Sequence, residues 1–259
     1  MYFLFVNCMD YQLTHIEDQE DSRDHLLEIN IVNEQPDSFN LRELNFLPDV
    51  LDQGSLNTCV VCVLGTILQF NLKKINHLDN FIPSRLFLYY FGRIIDNDPV
   101  DKDTGITIRS GLKALEKFYT VDESIYPYIV ENFSIKPSDI HINNALKIKK
   151  QIKYVRVQKT MINIKAVLKI TPIAIGLMIY ESFKKIRGDG IVSLPKETET
   201  CIGSHAMVLV SYDDNTRLFG LMNSWGRKTF GDSGFCYAPY DYILDDKLSF
   251  KNFWTFYFI

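Results

Sequence analysis

The sequence predicts an α+β fold in which a helical lobe is followed by a β-rich lobe. Apolar residues recur at helical spacing in the first part of the 259-residue chain, whereas short apolar segments separated by turns follow from Gln151 onward. This order of helices and strands favours a domain with two lobes. We place the domain at 35–259, with the helical lobe at about 47–150, the β lobe at about 151–259 and an N-terminal extension at 1–34.

The strongest helix prediction covers 59–74, where apolar side chains surround most of the circumference. Such a helix is expected to be buried, with Thr58 as its N-cap and Lys73 and Lys74 near the negative end of its dipole. Further helices are predicted at 84–95, 107–119, 143–150 and 162–170. Strands are predicted at 153–159, 173–180, 206–212, 218–223 and 235–238.

The composition is that of an ordinary globular protein, and it narrows the choice of function. Lysine and arginine total 28 against 32 acidic residues, which gives a formal net charge of −4, and 46% of the residues are hydrophobic. This balance excludes a disordered chain and argues against a general nucleic-acid binder, which would be basic. We therefore expect no nucleic-acid partner, and the oligomeric state stays open.

The sequence also lacks the features of a membrane or secreted protein. No segment reaches the roughly 18 apolar residues of a membrane span, so no membrane partner is expected. Residues 1–9 are apolar but short and have no positive region before them, which argues against a signal peptide and favours an edge strand or a plug on the domain. The five cysteines are odd in number and irregularly spaced, so no disulfide framework is expected. These observations predict an intracellular, cytoplasmic protein.

Cys59 is the first candidate catalytic residue, because it lies at the predicted N-terminus of a buried helix. Backbone N–H groups and the helix dipole stabilise an anion there, which favours a thiolate. Gln53 lies six residues upstream on a loop with Gly54. Such a loop can direct the Gln53 amide and the Cys59 backbone N–H to one place, and two donors that converge form an oxyanion hole.

His205 and Asn223 form the second candidate pair. His205 precedes a mostly apolar strand, residues 213–216 form a turn, and Asn223 ends the returning strand. In an antiparallel hairpin the two residues are near cross-strand neighbours, so an imidazole and a carboxamide meet at its open end. The amide can hold the imidazole in one tautomer and orientation. Trp225 follows two positions after Asn223 and can cover the pair from water.

Several segments together resemble the motifs of papain-like (cathepsin-type) cysteine peptidases, in the same order along the chain. The main three are Gln53-Gly54-Ser55-x-x-x-Cys59, Ser204-His205-Ala206 and Asn223-Ser224-Trp225-Gly226. Asp103-Thr104-Gly105 resembles the substrate-binding glycine loop of that family, and Tyr126-Pro127-Tyr128 resembles another of its elements. The segments Pro239-Tyr240-Asp241-Tyr242 and Asn252-Phe253-Trp254 resemble the C-terminal part of its bacterial and large-DNA-virus members. If the source is a virus, we expect the protein to be packaged in the virion.

The resemblance implies a cysteine-type peptidase, a hydrolase that cleaves polypeptides through an acyl-enzyme and uses no cofactor and no metal. Cys59 would be the nucleophile, and His205 would be the general base and later the general acid. Asn223 would orient His205, and Gln53 would complete the oxyanion hole. Trp225 would shield the His–Asn pair.

The resemblance also implies the substrate site and the architecture. Thr104 and Gly105 would bind the substrate, with Gly105 pairing with its backbone. The family fold has an active-site cleft between a helical lobe and a β lobe, which we expect to contain a barrel-like antiparallel sheet.

Three positions depart from the usual pattern of the family. Val60 follows the nucleophile where a tryptophan is common, and Leu56 replaces a disulfide-bonded cysteine three residues before it. Ser204 replaces the Asp, Asn or Gly that relatives often carry. The extension of about 34 residues is short for a prodomain, and we expect it either to cover part of the cleft or to pack on its back.

Other readings of the same residues remain open. Cys59 and Cys62 form a CxxC pair, which is typical of redox proteins, but no predicted strand precedes it. A zinc site would need two further ligands, and the remaining cysteines and histidines lack ligand spacing. An acyl-transfer or deamidating enzyme could use the same catalytic residues, and a non-catalytic binding protein could retain the same fold.

Overall fold

A computed structural model of the protein describes residues 11–28, 35–75 and 80–259. The strand or plug predicted at 1–9 lies outside these ranges, and so do Cys8 and the end of the predicted extension, residues 29–34.

The predicted helices of the first lobe are present: α1 at Cys59–Lys74, α2 at Arg85–Asp96, α3 at Ile108–Phe118 and α4 at Asp139–Ile148. Ser84 and Thr107 are N-caps and not the first helical residues, because their side chains accept from the backbone N–H groups of Phe87 and Ser110. Helix α4 begins four residues before its predicted start, at a capping box formed by Ser138.

The second lobe is dominated by a mostly antiparallel sheet that also includes an early strand. Its strands are β1 at Ser38–Asn40, β2 at Ile152–Val157, β3 at Ile173–Tyr180, β4 at Cys201–Asp213, β5 at Leu218–Met222, β6 at Phe235–Pro239 and β7 at Phe253–Phe258. Their order is β2-β7-β3-β4-β5-β6, and β1 pairs with β4. Helix α5, Met161–Leu168, connects β2 to β3, and the short helix α6, Tyr240–Leu244, follows β6.

Two features of the sheet correct the sequence prediction. Among the described residues the sheet does not close on itself, so it is an open antiparallel sheet and not a barrel. Strand β7 was not predicted, although it is an inner strand of the sheet, between β2 and β3. It is buried on both faces for most of its length, and such a strand lacks the alternation of polar and apolar residues that marks a half-exposed one.

Helix α1 connects the two lobes and positions the site. It is buried from Cys59 to Leu72 and contacts α2 and α3 on one side and β3, β4 and β7 on the other. One hydrophobic core therefore runs from the helices into the sheet, and a smaller core fills the space between α2, α3 and α4. In the described parts of the chain, no helix combines the length and apolar character that crossing a bilayer requires.

Candidate active site

Cys59 is the first residue of α1, and its side chain is buried against β4. Its sulfur interacts with the backbone N–H groups of Cys59, Val60 and Ala206, and each of them lowers the pKa of the thiol. Burial has the larger and opposite effect and raises this pKa to about 12. Because Ala206 directly follows His205, the sulfur lies next to the strand that carries the candidate base.

Thr58 occupies the predicted N-cap position, but its hydroxyl does not cap the helix. It lies 2.6 Å from the hydroxyl of Tyr128, which donates to the backbone carbonyl of Gln53 at 2.6 Å. Tyr128 has one hydroxyl hydrogen, so Thr58 is the donor in the bond between them. This pair connects the start of α1 to the loop that carries Gln53.

His205 and Asn223 are in contact, as the hairpin pattern predicts. Their bond joins His205 Nε2 to Asn223 Oδ1 at 2.7 Å. The backbone N–H of Ser224 donates to the same oxygen at 2.7 Å, which identifies it as the acceptor end of the amide. Nε2 must then carry the hydrogen, so neutral His205 has its lone pair on Nδ1, which has no hydrogen-bond partner among the described residues.

The environment of His205 favours the neutral ring. His205 is fully buried, and this burial lowers its pKa to about 4, although the bond to Asn223 acts in the opposite direction.

The hairpin of β4 and β5 pairs Val208 with Met222, and a register shift near Leu209 adds one residue to β4.

Gln53 is fully buried, and its side chain contacts both lobes. Its Nε2 donates to the carbonyl of Leu56 at 2.9 Å, and its Oε1 accepts from the hydroxyl of Ser224 at 2.7 Å. Its backbone N–H also donates to the carbonyl of Ser224. These bonds fix which end of the amide is the donor, and one Nε2 hydrogen remains for a ligand. Ser224 belongs to the motif that begins at Asn223, but its contact with Gln53 was not predicted.

Trp225 covers one side of the His–Asn pair. Its ring centroid lies 5.1 Å from that of His205. Phe183 and Phe230 meet it edge-on at 5.8 and 5.0 Å, and Tyr11 stacks on it at 4.7 Å. Four aromatic rings therefore keep water from this side of the imidazole.

Comparison with known proteins identifies the family. The sequence model of the family described as "Papain family cysteine protease" matches residues 104–242, which is more than half of the chain. The matched range includes His205 and Asn223 but not Cys59 or Gln53. An uncharacterized peptidase C1-like protein of Acanthamoeba polyphaga mimivirus is 35% identical over 230 residues, covering 83% of this chain and 73% of that protein. The chain belongs to the papain family of cysteine proteases.

Solved structures agree with this assignment. Xylellain, a cysteine protease from Xylella fastidiosa, is 30% identical and superposes with a TM-score of 0.87 over 95% of this chain and 96% of that one. A Carica candamarcensis cysteine protease in complex with E-64 shares the fold at 19% identity, with a TM-score of 0.58 over 78% of this chain and 88% of the other. The resemblance to bacterial and large-DNA-virus members is confirmed, and the protein is a cysteine-type peptidase.

The predicted substrate loop of this papain-family peptidase lies across the cleft from β4. The N–H of Gly105 donates to the hydroxyl of Tyr89 at 2.9 Å, and the hydroxyl of Thr104 donates to the carbonyl of Gly105 at 3.1 Å. A substrate that accepts from the N–H of Gly105 must therefore displace the Tyr89 hydroxyl, whereas the carbonyl of Gly105 has a second lone pair for a substrate donor. Gly105 has a φ of +77°, which favours glycine. A Cβ at this position would lie 2.9 Å from the carbonyl oxygen of Thr14, so the strap can approach the loop this closely only at a glycine.

Residues 11–28, which we call the strap, cross this cleft. Ser204 donates its backbone N–H to the carbonyl of Leu13 at 3.0 Å and accepts from the N–H of His15 at 3.2 Å. The hydroxyl of Ser204 donates to the carbonyl of His15 at 2.5 Å. On the helical side, Ile16 forms a parallel bridge with Thr107. The strap therefore occupies backbone groups on both sides of the cleft.

His15 is a polar residue of the strap that is buried in the cleft, at 5% exposure. Its ring packs on Phe250 at 5.2 Å and lies close to Gly176, where a Cβ would approach His15 Nε2 to 2.6 Å. The pKa of His15 is lowered to about 3, mainly by burial and then by repulsion from nearby His205, although a hydrogen bond with the backbone of Ile106 acts in the opposite direction. The strap thus places a neutral histidine in the cleft.

The later part of the strap is held by charged groups. Asp24 forms an ion pair with Arg109 at 2.6 Å and lies 3.6 Å from Arg156. Asp18 accepts from Trp254 Nε1 at 2.8 Å and from the backbone N–H of Arg109 at 3.1 Å. Because the ion-paired groups are mostly buried, salt screens them less than it would screen surface charges.

Proposed function

We propose that this papain-family peptidase hydrolyses peptide bonds with Cys59 as the nucleophile and His205 as the general base. The bond between His205 Nε2 and Asn223 Oδ1 is the observation that carries the proposal. It leaves the Nδ1 lone pair free to take the proton of a thiol, and the sulfur of Cys59 interacts with the N–H of the adjacent Ala206.

The proposed reaction assigns each proton to a stated atom. Nδ1 of His205 takes the thiol proton, and the sulfur attacks the substrate carbonyl carbon. The second Nε2 hydrogen of Gln53 and the backbone N–H of Cys59 stabilise the oxyanion. Nδ1–H then protonates the departing amine as the C–N bond breaks, and water hydrolyses the thioester with His205 as base.

We also propose that the strap covers the cleft and holds the site inactive, which is one of the two roles expected for the extension at 1–34. Burial raises the pKa of Cys59 to about 12 and lowers that of His205 to about 4, so both groups are neutral at pH 7 while the strap is in place. Release of the strap admits water and reduces the free-energy cost of charging Cys59 and His205. The three backbone N–H groups at the sulfur then favour the thiolate.

The test is a peptide-library cleavage assay under reducing conditions, together with a thiol-directed probe. We expect wild-type protein to cleave polypeptides and Cys59→Ala to lose all measurable cleavage. Labelling of Cys59 should fall strongly in His205→Ala, because an unactivated thiol reacts slowly at neutral pH. Labelling that His205→Ala leaves unchanged, with no cleavage by the wild type or by the chain without the strap, would favour a non-catalytic binding protein.

Product analysis distinguishes the nearer alternative. Transfer of the acyl group to an added amine, or release of ammonia from glutamine side chains without chain cleavage, would replace hydrolysis by acyl transfer or deamidation. A strap deletion compared with the full chain tests the covering role, for which we expect faster cleavage and faster labelling of Cys59.

A further inference from the structure

Asn57 lies two residues before Cys59 and has a side-chain amide whose orientation is fixed. Its Nδ2 donates to the backbone carbonyl of Asp103 at 2.9 Å and to Asp103 Oδ2 at 3.0 Å. A backbone carbonyl can only accept, so the amide cannot flip without losing this bond. The backbone N–H of Asn57 donates to the same carboxylate at 3.0 and 3.1 Å. Asn57 therefore presents its oxygen, and only its oxygen, away from Asp103.

The strap contacts this oxygen with a hydrogen-bond donor. The hydroxyl of Thr14 donates to Asn57 Oδ1. Thr14 forms a parallel bridge with Ser204, and its carbonyl oxygen lies where a Cβ on Gly105 would reach it. The contact thus lies inside the cleft, between the two walls that a substrate must also touch. Asn57 is only 6% exposed, so its oxygen has little access to water while the cleft is filled.

We propose that Asn57 is a specificity-determining residue and selects polypeptides with a hydroxyl side chain, threonine or serine, at the position that replaces Thr14. The inference rests on the proposed peptidase function and names the substrate class of that site. A threonine at this position restores the bond that the strap makes, whereas a valine of the same shape leaves a buried acceptor unpaired. Sites built to pair a polar group discriminate strongly against the analogue that lacks it.

Paired peptides that differ only by Thr or Val, with the pair moved through each position, test the proposal on the full chain. The ratio of the two kcat/KM values does not depend on the fraction of molecules with an open strap, because that fraction scales both values equally. We expect a preference for threonine of about tenfold at one position. Asn57→Ala should reduce this ratio to about one.

Tyr89→Phe is the matched control, since the Tyr89 hydroxyl bonds to Asp103 and Gly105 but not to Asn57. It disturbs the same loop and is expected to lower both kcat/KM values while the preference for threonine remains. Equal cleavage of the Thr and Val peptides at every position, or a preference that survives Asn57→Ala, would overturn the proposal. Cleavage of no peptide by either the full chain or the chain without the strap would instead reject the peptidase function on which it rests.

A second measurement examines the same oxygen without catalysis. The rate of Cys59 labelling, resolved by mass spectrometry of the labelled peptide, reports opening of the strap. Thr14→Val should raise this rate about tenfold, and Thr14→Ser should not, because serine retains the hydroxyl. Thr14→Val should have little further effect in Asn57→Ala, since the bond is then already lost. Additive effects of the two substitutions would show that Asn57 does not select the hydroxyl.

Discussion

The two walls of the cleft hold their functional groups in different ways. On the sheet side, His205 lies on β4, and the hairpin with β5 brings Asn223 beside it. On the helical side, Gln53 and Asn57 lie on an irregular loop. Hydrogen bonds with distant parts of the chain hold that loop. Ser224, Tyr128 and Arg85 donate to its first part, and Asp103 accepts from Asn57 in its second part.

The two walls differ in what determines the positions of their side chains. Strand register is local and repeats every two residues, so the contact between His205 and Asn223 follows from their distance to a turn. A loop has no such repeat, and its shape depends on each hydrogen bond to a partner far away in sequence. We therefore expect the helical wall to be more sensitive to loss of a single polar side chain outside the site.

The largest expected effect on stability is at Arg85. Its guanidinium donates to the carbonyl of Asp52 at 2.6 Å, lies over the ring of Tyr128 and forms a mostly buried ion pair with Glu123. Arg85→Ala leaves the Glu123 carboxylate without its partner, which typically costs about 3–5 kcal/mol of unfolding free energy. Urea unfolding measures this loss.

Arg227→Ala is the control for that prediction. Arg227 pairs with Asp49, but both side chains are more than half exposed, at 59% and 88%. Its loss should change the unfolding free energy by less than about 0.5 kcal/mol. Similar losses for Arg85→Ala and Arg227→Ala would contradict a special dependence of the helical wall on its polar contacts.

Gln53→Ala removes an oxyanion donor from the helical wall. Loss of one such donor lowers kcat by about 10²–10³, or about 2.7–4 kcal/mol of barrier, in a serine peptidase, and we expect the same scale here. Steady-state kinetics on a cleaved peptide, with circular dichroism to confirm folding, measure the effect. Ser224→Ala keeps the donor and should cost less than about tenfold. Equal losses in the two variants would mean that the amide serves only to connect the lobes.

The strap should loosen in mild acid because His15 must be neutral to remain buried. Its pKa is about 3 in the covered state and has the ordinary value of 6.5 when exposed. Above pH 6.5 the strap is unaffected. As the pH falls from 6.5 toward 3, the open state binds the extra proton, so opening rises by up to about tenfold per pH unit. Protonation of His205, whose pKa is about 4 in the covered state, also favours the open state as the pH falls.

His15→Gln isolates the first of these two contributions. The rate of Cys59 labelling in the wild type, divided by the rate in His15→Gln at the same pH, cancels the intrinsic reactivity of the thiol and the titration of His205. We expect this ratio to rise as the pH falls below 6.5. A ratio that stays constant between about pH 7 and pH 5 would contradict the assignment of the acid response to His15.

The smallest expected effect concerns the stacking of Tyr11 on Trp225. Aromatic pairs of this kind contribute about 0.5–1.5 kcal/mol beyond simple burial. Tyr11→Leu keeps apolar contact but loses the stack and the long hydrogen bond from the Tyr11 hydroxyl to the carbonyl of Trp225 at 3.2 Å, so labelling of Cys59 should rise about two- to tenfold. Leu26→Ala is a matched change at a residue of the strap that is 60% exposed, and it should have little effect on labelling.

Much of the fold was accessible from the sequence because its elements have strong local patterns. Helix α1 has the predicted bounds, since its apolar residues surround the whole helix and end at two lysines. Strand β7 was missed because the residues of β2 and β3 that pair with it are 80 or more positions away along the chain, and no local pattern reveals such pairing.

The residues of the site also fall into two groups, those that the sequence predicts and those whose positions depend on contacts between distant parts of the chain. The contact between His205 and Asn223 followed from hairpin geometry, and the family resemblance supplied a role for Gln53. The amide of Asn57 was not singled out, because its partner Asp103 is 46 residues away and only their contact gives the side chain an orientation. The insertion of His15 could not be predicted either, since it depends on the packing around Gly176 and Phe250.

The strap is part of the same polypeptide as the cleft that it fills, with Tyr11 at one end and the ion pair of Asp24 at the other. Its local concentration at the cleft is therefore set by chain connectivity and is the same in a dilute and a concentrated solution. One backbone break between Asp18 and Asp24 would divide the strap into two pieces. The piece that bears Tyr11 and His15 would then behave as a separate inhibitor, whose occupancy falls on dilution.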